Sequence, residues 1–213
     1  MVGRNLRRNL RRNLRLFPSS PSNNFSTAAR RRCWYDWRVH LVTDDTFMAP
    51  RETCIANLRG ALAGGADVVQ LRLKHASTKE FLSWAAVMKP LCRRHGAAFV
   101  IDDRLDVALA CGADGVHVGR DDLPPEIARR LLGPDKVVGV SSYGEREKVV
   151  EALSEAVDAD YIGSGTTFPT ATKTADKTGG VPVEGLASLG QLRAWVDEEL
   201  TRQGRFVPQR RRR

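Results

Sequence analysis

The chain has 213 residues, of which 42% are hydrophobic, and carries 34 Lys+Arg against 25 Asp+Glu for a formal net charge of +9. That composition excludes a wholly disordered polypeptide, and no apolar run approaches the ~18 residues of a membrane-spanning helix. The positive total suggests a nucleic-acid binder, but its distribution argues otherwise. Residues 1–32 hold nine arginines and no acid, and residues 205–213 hold five more arginines. The body between them, 33–204, has 20 basic and 25 acidic side chains, a net of −5. A body of that sign is a poor ligand for a phosphodiester backbone.

The N-terminal segment repeats Arg-Asn-Leu-Arg from Arg4 to Arg15. Leu6, Leu10 and Leu14 share one helical face with Phe17 nearby, and Pro18 stops the helix before a Ser/Asn/Pro-rich stretch, Ser19 to Thr27. An amphipathic, Arg-rich, acid-free leader of this kind has the composition of an organelle transit peptide, with mitochondrion as first reading and plastid as alternative. A nucleic-acid arm and a membrane-surface helix are its rivals. Three segments follow: leader 1–32, folded body 33–204 and basic tail 205–213.

The body alternates short β-branched runs with longer amphipathic ones. Strands are expected at Val39–Thr43, Asp67–Leu71, Ala98–Ile101, Gly115–Val118, Val137–Val140 and Tyr161–Gly163. Helices fit at Arg51–Ala63, closed by Gly64-Gly65, and from the capping box Ser77-Thr-Lys-Glu80 to about His95. Others fit at about 104–111, 124–132, 145–155 and 184–200. An Ala-Asp pair recurs at Asp67, Asp114 and Asp160, two βα units apart each time. Six βα units suit either a doubly wound sheet or a TIM-type barrel, here with six of the eight strands a closed barrel needs. No GxGxxG follows the first strand, and polar residues gather where strands end. The four cysteines (33, 54, 92, 111) form no metal or disulfide pattern and read as buried, reduced thiols.

Those strand ends carry the chemistry. After the second strand, Gln70, Arg72 and Lys74 alternate to one side, an arginine fork and a lysine point charge suited to pyrophosphate, or else a solvated surface face. Asp102-Asp103 and Asp121-Asp122 end the third and fourth strands, as carboxylates that hold Mg²⁺ do. Asp102 pairing with Arg104, and Asp121 or Asp122 capping the helix at Pro124-Pro125, are the structural alternatives. His117 reads as a satisfied interior histidine. Ser141-Ser142 suit phosphate, and the Gly/Thr/Lys-rich segment from Gly163 to Lys173 suits a phosphate-binding lid or a plain flexible loop.

Five motifs in register make the sequence resemble the thiamine phosphate synthase family over about residues 38–190. They are Gln70-Leu-Arg-Leu-Lys74, Ile101-Asp-Asp-Arg104, Ala113-Asp-Gly-Val-His-Val-Gly119 with Asp121-Asp122, Gly139-Val-Ser141 and Phe168-Pro-Thr-Ala-Thr-Lys173. The resemblance implies a TIM barrel that joins a hydroxymethylpyrimidine diphosphate to a thiazole phosphate, releasing pyrophosphate with Mg²⁺. By it, Arg72, Lys74, Ser141 and Lys173 would meet the diphosphate and carry catalysis. Gln70 and Asp102 would line the pyrimidine pocket, and Thr170 and Thr172 would meet the thiazole phosphate. Asp103 and Asp122 would be the Mg²⁺ ligands. Asp102 stands where the family usually has Asn, Arg120 where it usually has Gln, and the family's last two βα units have no counterpart before Arg213. A non-catalytic remnant that binds phosphate ligands without turnover is therefore the second reading. A thiazole tautomerase is disfavoured because Arg72, Lys74, Asp103 and Asp122 are all kept. The expected partners are small molecules, with no nucleic acid and no membrane span, and a homo-oligomer is allowed.

Overall fold

The structure, a computed structural model, describes residues 37–45, 48–154, 156–164 and 186–205. The leader, Cys33, the segment bearing Thr170, Thr172 and Lys173, and the Arg210–Arg213 run lie outside the described residues. In chain order the elements are β1 (His40–Val42), α1 (Arg51–Ala63), β2 (Val68–Leu71), α2 (Thr78–Arg94), β3 (Ala98–Asp102) and α3 (Leu105–Cys111). They continue with β4 (Gly115–Val118), α4 (Pro125–Leu132), β5 (Val137–Ser141), α5 (Arg146–Ala152), β6 (Tyr161–Gly163) and α6 (Leu186–Arg202). All six strands are parallel and neighbour one another in sequence order.

Local chemistry sets several boundaries. Ser77 caps α2 by accepting from the Glu80 N–H, as the capping box predicts. Gly112 ends α3 in the left-handed conformation. Helix α5 stops at Ala152, short of the expected 155. The Leu153 carbonyl instead accepts from Gln203 Nε2 and Arg205 Nη1, which ties the chain after α6 to this corner. Arg205, assigned to the tail by charge counting, thus belongs to the folded body and also pairs with Asp158 at 2.9 Å.

The sheet separates two environments. One face, with Val69, Leu71, Phe99, Ile101, Val116, Val118, Val138 and Val140, joins α1–α3 and their Phe81, Trp84 and Met88 in a continuous apolar core. Strand alternation sends Gln70, Asp102, His117, Gly139, Ser141 and Tyr161 to the other face. There the sheet curls on itself. The rings of His40 on β1 and Tyr161 on β6 meet with centroids 5.4 Å apart, although β1 and β6 are the two ends of the strand order. Gly139 permits this, since any Cβ there would strike the Tyr161 ring. A sheet whose first and last strands converge over a polar interior is a partly closed βα barrel.

The recurring Ala-Asp pair gains a physical meaning. Asp67, Asp114 and Asp160 each sit just ahead of a strand and accept from the backbone N–H of the preceding one. The distances are 3.0 Å to Val39, 2.9 Å to Phe99 and 2.8 Å to Val138. They are carboxylate clamps at the end of the sheet opposite the cleft described next.

Candidate active site

A cleft of about 720 Å³ opens at the C-terminal strand ends and is lined by residues that follow β1 to β6. Gln70 and Asp102 lie buried on its floor, with Gln70 Nε2 donating to Asp102 Oδ1. Arg72 is held between two acids, Nη1 3.3 Å from Asp44 Oδ2 and Nε 3.5 Å from Asp102 Oδ2. Its backbone is fixed by Thr43, whose hydroxyl accepts from the Arg72 N–H and donates to the Arg72 carbonyl. With a side chain only 15% exposed, Arg72 is not part of a solvated surface face. Lys74 Nζ pairs with Asp103 Oδ2 and lies 3.7 Å from Asp102 Oδ2.

Successive strand residues point to opposite faces, yet Asp102 and Asp103 both line the cleft. The reason is backbone: Asp103 is left-handed (φ 61°), and its N–H donates to the His117 carbonyl at 2.8 Å. That turn brings its carboxyl to Asp122 from the β4 end, and the two side chains share a hydrogen bond. Asp122 in turn accepts from the Gly119 N–H at 2.6 Å.

Burial pushes the Asp102 carboxyl up to about 7, the Asp103 charge adding to it and Lys74 and Arg72 opposing. A carboxyl raised in this way keeps its proton more readily than an ordinary aspartate, and a protonated carboxyl can donate as well as accept. Burial also raises Asp122, to about 6, and the hydrogen bond to Asp103 reinforces the shift. Asp103 goes the other way: against burial, hydrogen bonds from Lys74 and Asp122 hold it below the ordinary carboxylate value. Lys74 loses by burial but gains more from Asp103, and stays charged.

Two touching carboxyls form a hard-oxygen pair suited to a divalent cation that keeps waters and takes substrate oxygens. Among the described residues no third His, Cys, Asp or Glu converges with them on one point.

The structural alternatives fare poorly. Arg104 pairs with Asp106 and Thr78, not with Asp102. Pro124 is the N-cap residue of α4, and no side chain caps that helix. His117 is an interior histidine, as expected, with Nδ1 3.1 Å from the Tyr161 hydroxyl and Nε2 2.9 Å from Ser141 Oγ. Ser141 lines the cleft with its hydroxyl engaged by that ring.

Sequence reasoning missed Asp44, Tyr143 and Tyr161 as cleft residues. Asp44 had a signal: Asp44-Asp45 follows β1 as Asp102-Asp103 follows β3 and Asp121-Asp122 follows β4. Tyr161 had one too, since the alternation that turns Gly139 and Ser141 inward on β5 turns its register partner inward on β6. Tyr143 had none, since only a left-handed turn brings it inward.

A curled parallel βα sheet with acids and cations gathered where its strands end defines the class: a barrel-type α/β protein with a charged cleft at the C-terminal strand ends. The family model described as thiamine monophosphate synthase matches residues 39–193, and the chain belongs to that family. It is 53% identical to the thiamine-phosphate synthase of Chlorobium phaeovibrioides over 115 residues, 54% of each chain. It is 46% identical over 147 residues to the chloroplastic thiamine biosynthetic bifunctional enzyme of Arabidopsis thaliana, covering 68% of this chain and 28% of that one. The solved thiamine phosphate pyrophosphorylase of Pyrococcus furiosus superposes with a TM-score of 0.59 at 34% identity, over 76% of this chain and 70% of the other. The chain thus spans about half the length of the Chlorobium relative and just over a quarter of the Arabidopsis one.

Proposed function

We propose that the chain is a magnesium-dependent transferase of thiamine biosynthesis, joining a hydroxymethylpyrimidine diphosphate to a thiazole phosphate with release of pyrophosphate. The observation that carries this is the meeting, in one cleft, of Arg72 and Lys74 with the touching carboxyls of Asp103 and Asp122. Asp103 and Asp122 would hold Mg²⁺, which when bound supplies charge neutralisation for the leaving diphosphate. Arg72 and Lys74 bind and orient that diphosphate, with Ser141 beside them. Gln70 and Asp102 hold the pyrimidine on the cleft floor by donating and accepting in its plane. The carbon–oxygen bond to the diphosphate breaks with its electron pair leaving on pyrophosphate, and the thiazole nitrogen forms the new carbon–nitrogen bond. No general base is required, so fixed charges aimed at the leaving group are the catalytic resource. Thr170, Thr172 and Lys173 keep the phosphate-contacting roles that the family resemblance gives them.

The test is direct. The purified chain, with both substrates and Mg²⁺, should form thiamine phosphate, and Arg72→Ala or Asp103→Ala should lower the rate by about 100-fold or more, the scale on which lost electrostatic contacts act. No product from the unaltered chain at saturating substrate defeats the proposal. The second reading is ligand binding without turnover. It predicts Mg²⁺-dependent pyrophosphate binding by a chain that yields no product.

Among the described residues no helix is long and apolar enough to cross a membrane. We further propose that residues 1–32 direct import into an organelle, mitochondrion or plastid. The plant relative's chloroplastic name favours the second. A fluorescent protein carrying this segment should accumulate in one of them, and cytosolic retention would exclude the idea.

A further inference from the structure

Among the described residues, two of the three non-glycine residues with positive φ lie in the cleft: Asp103, already accounted for, and Tyr143 at φ 53°. Such a backbone is costly for an aromatic residue and persists only where its surroundings over-determine it. Here they do. The preceding Ser142 is fully buried, and both its N–H and its hydroxyl donate to the Gly163 carbonyl at the end of β6. Gly144 follows, also left-handed, and the Glu145 N–H closes the turn on the Ser142 carbonyl at 2.8 Å. The β5–α5 turn is thus anchored to β6, and it aims the Tyr143 ring across the cleft at the β4–α4 turn.

Contact with that turn is threefold. The Tyr143 hydroxyl accepts from the Arg120 backbone N–H at 2.8 Å. Its ring lies under the Arg120 guanidinium, 4.7 Å from the centroid, while the same guanidinium pairs with Glu145 beyond it. Gly119 is kept bare by the approach, since a Cβ there would strike the Tyr143 hydroxyl. The residue so pinned is adjacent to the Gly119 N–H that donates to Asp122 Oδ2. The hydroxyl of Tyr143 therefore fixes the backbone that in turn fixes the Asp122 carboxyl.

We propose that Tyr143 is a positioning residue for Asp122, and that through the Gly119–Asp122 turn it sets the affinity of the cleft for a divalent cation. The inference rests on the reading above that Asp103 and Asp122 hold that cation. Arg120 assists with its side chain, but the directional contact is its main-chain N–H, which any residue at that position supplies. Outer contacts that hold a metal-binding carboxylate in place commonly matter by about 10-fold or more in metal affinity.

The experiment is titration of the full chain with Mn²⁺ alone, followed by electron paramagnetic resonance of the free ion, alongside a thermal melt of each variant. Tyr143→Phe keeps the ring under Arg120 and removes only the hydroxyl, and should weaken Mn²⁺ binding roughly 10-fold with little change in melting temperature. Asp122→Asn should weaken it further. Arg120→Ala, which keeps the main-chain N–H, should weaken it less than Tyr143→Phe does. If Tyr143→Phe binds Mn²⁺ as the parent does while Asp122→Asn has lost it, the positioning role is wrong and the metal reading stands. If Asp122→Asn binds like the parent, or the parent binds no Mn²⁺, the metal reading falls and takes this inference with it.

Discussion

Arg72 shows how a single side chain is prepared for an anion. Its guanidinium lies between Asp44 and Asp102, and its backbone is bonded in both directions by Thr43. An unrestrained arginine would lose rotamer freedom on meeting a diphosphate, and here much of that cost falls on folding instead. Asp44 is thus a positioning residue for the proposed reaction. Asp44→Asn should raise the KM for the pyrimidine diphosphate about three- to tenfold, the scale of one weakened charge-assisted hydrogen bond. The KM for the thiazole phosphate should hardly move. Equal changes in both values, or none, would remove Asp44 from that role. The adjacent Asp45 acts on Lys74 in a similar way, accepting from its main-chain N–H at 2.9 Å.

At the scale of elements, the carboxylate clamps explain an echo that the sequence displays without explaining. Asp67, Asp114 and Asp160 tie β2 to β1, β4 to β3 and β6 to β5. They are not equal. Asp160, with its side chain 6% exposed, also takes a bond from Arg129 Nη2 at 2.7 Å. Arg129 spends its remaining donors on the carbonyls of Gly133, Lys136, Val157 and Asp158. Asp160→Ala would leave that guanidinium buried and without its counter-charge, at a cost of about 3–5 kcal/mol. Asp114→Ala removes one exposed-side acceptor and should cost about 1 kcal/mol. Urea melts of the two variants check the order, and a smaller loss for Asp160→Ala would refute it.

Among the described residues, burial holds several groups protonated to higher pH than usual, Cys92 and Tyr161 most strongly. The Cys92 thiol is fully buried on α2, and burial, with the Asp114 charge, pushes it from 9.0 to about 12. Burial first, then the charges of Asp102 and Asp160, raise the Tyr161 phenol as well. A group whose folded pKa lies above its unfolded one contributes stability that is complete below the unfolded value and lost as pH rises toward the folded one. For Cys92 the window is pH 9 to about 12, with a slope of up to ~1.4 kcal/mol per pH unit. Cys92→Ala should flatten the alkaline fall of the denaturation midpoint. A curve parallel to the parent's would show that the thiol plays no part in it.

What was legible without coordinates follows from the range of the forces involved. Strand and helix positions and the capping box at Ser77 depend on residues a few places apart, so pattern reveals them. Arg72, Lys74 and the acidic pairs ending β3 and β4 were legible because parallel βα units deliver every strand end to one side of the sheet, while Asp103 and Asp122 were singled out within those pairs only by the family resemblance. Their partners were not. Tyr161 reaches His40 only because the sheet curls, and His117 across the bare Gly139 of β5. Tyr143 reaches Arg120 only through a left-handed turn anchored on β6. Charge counting likewise placed Arg205 at the start of the basic tail, whereas it bonds Leu153 and Asp158 across the fold. The sequence by itself determined the order of elements, the family and the identities of the charged groups at the strand ends. Tertiary structure alone decided which carboxyl touches which, because alternation along a strand cannot foresee that Asp103 turns back beside Asp102 to meet Asp122.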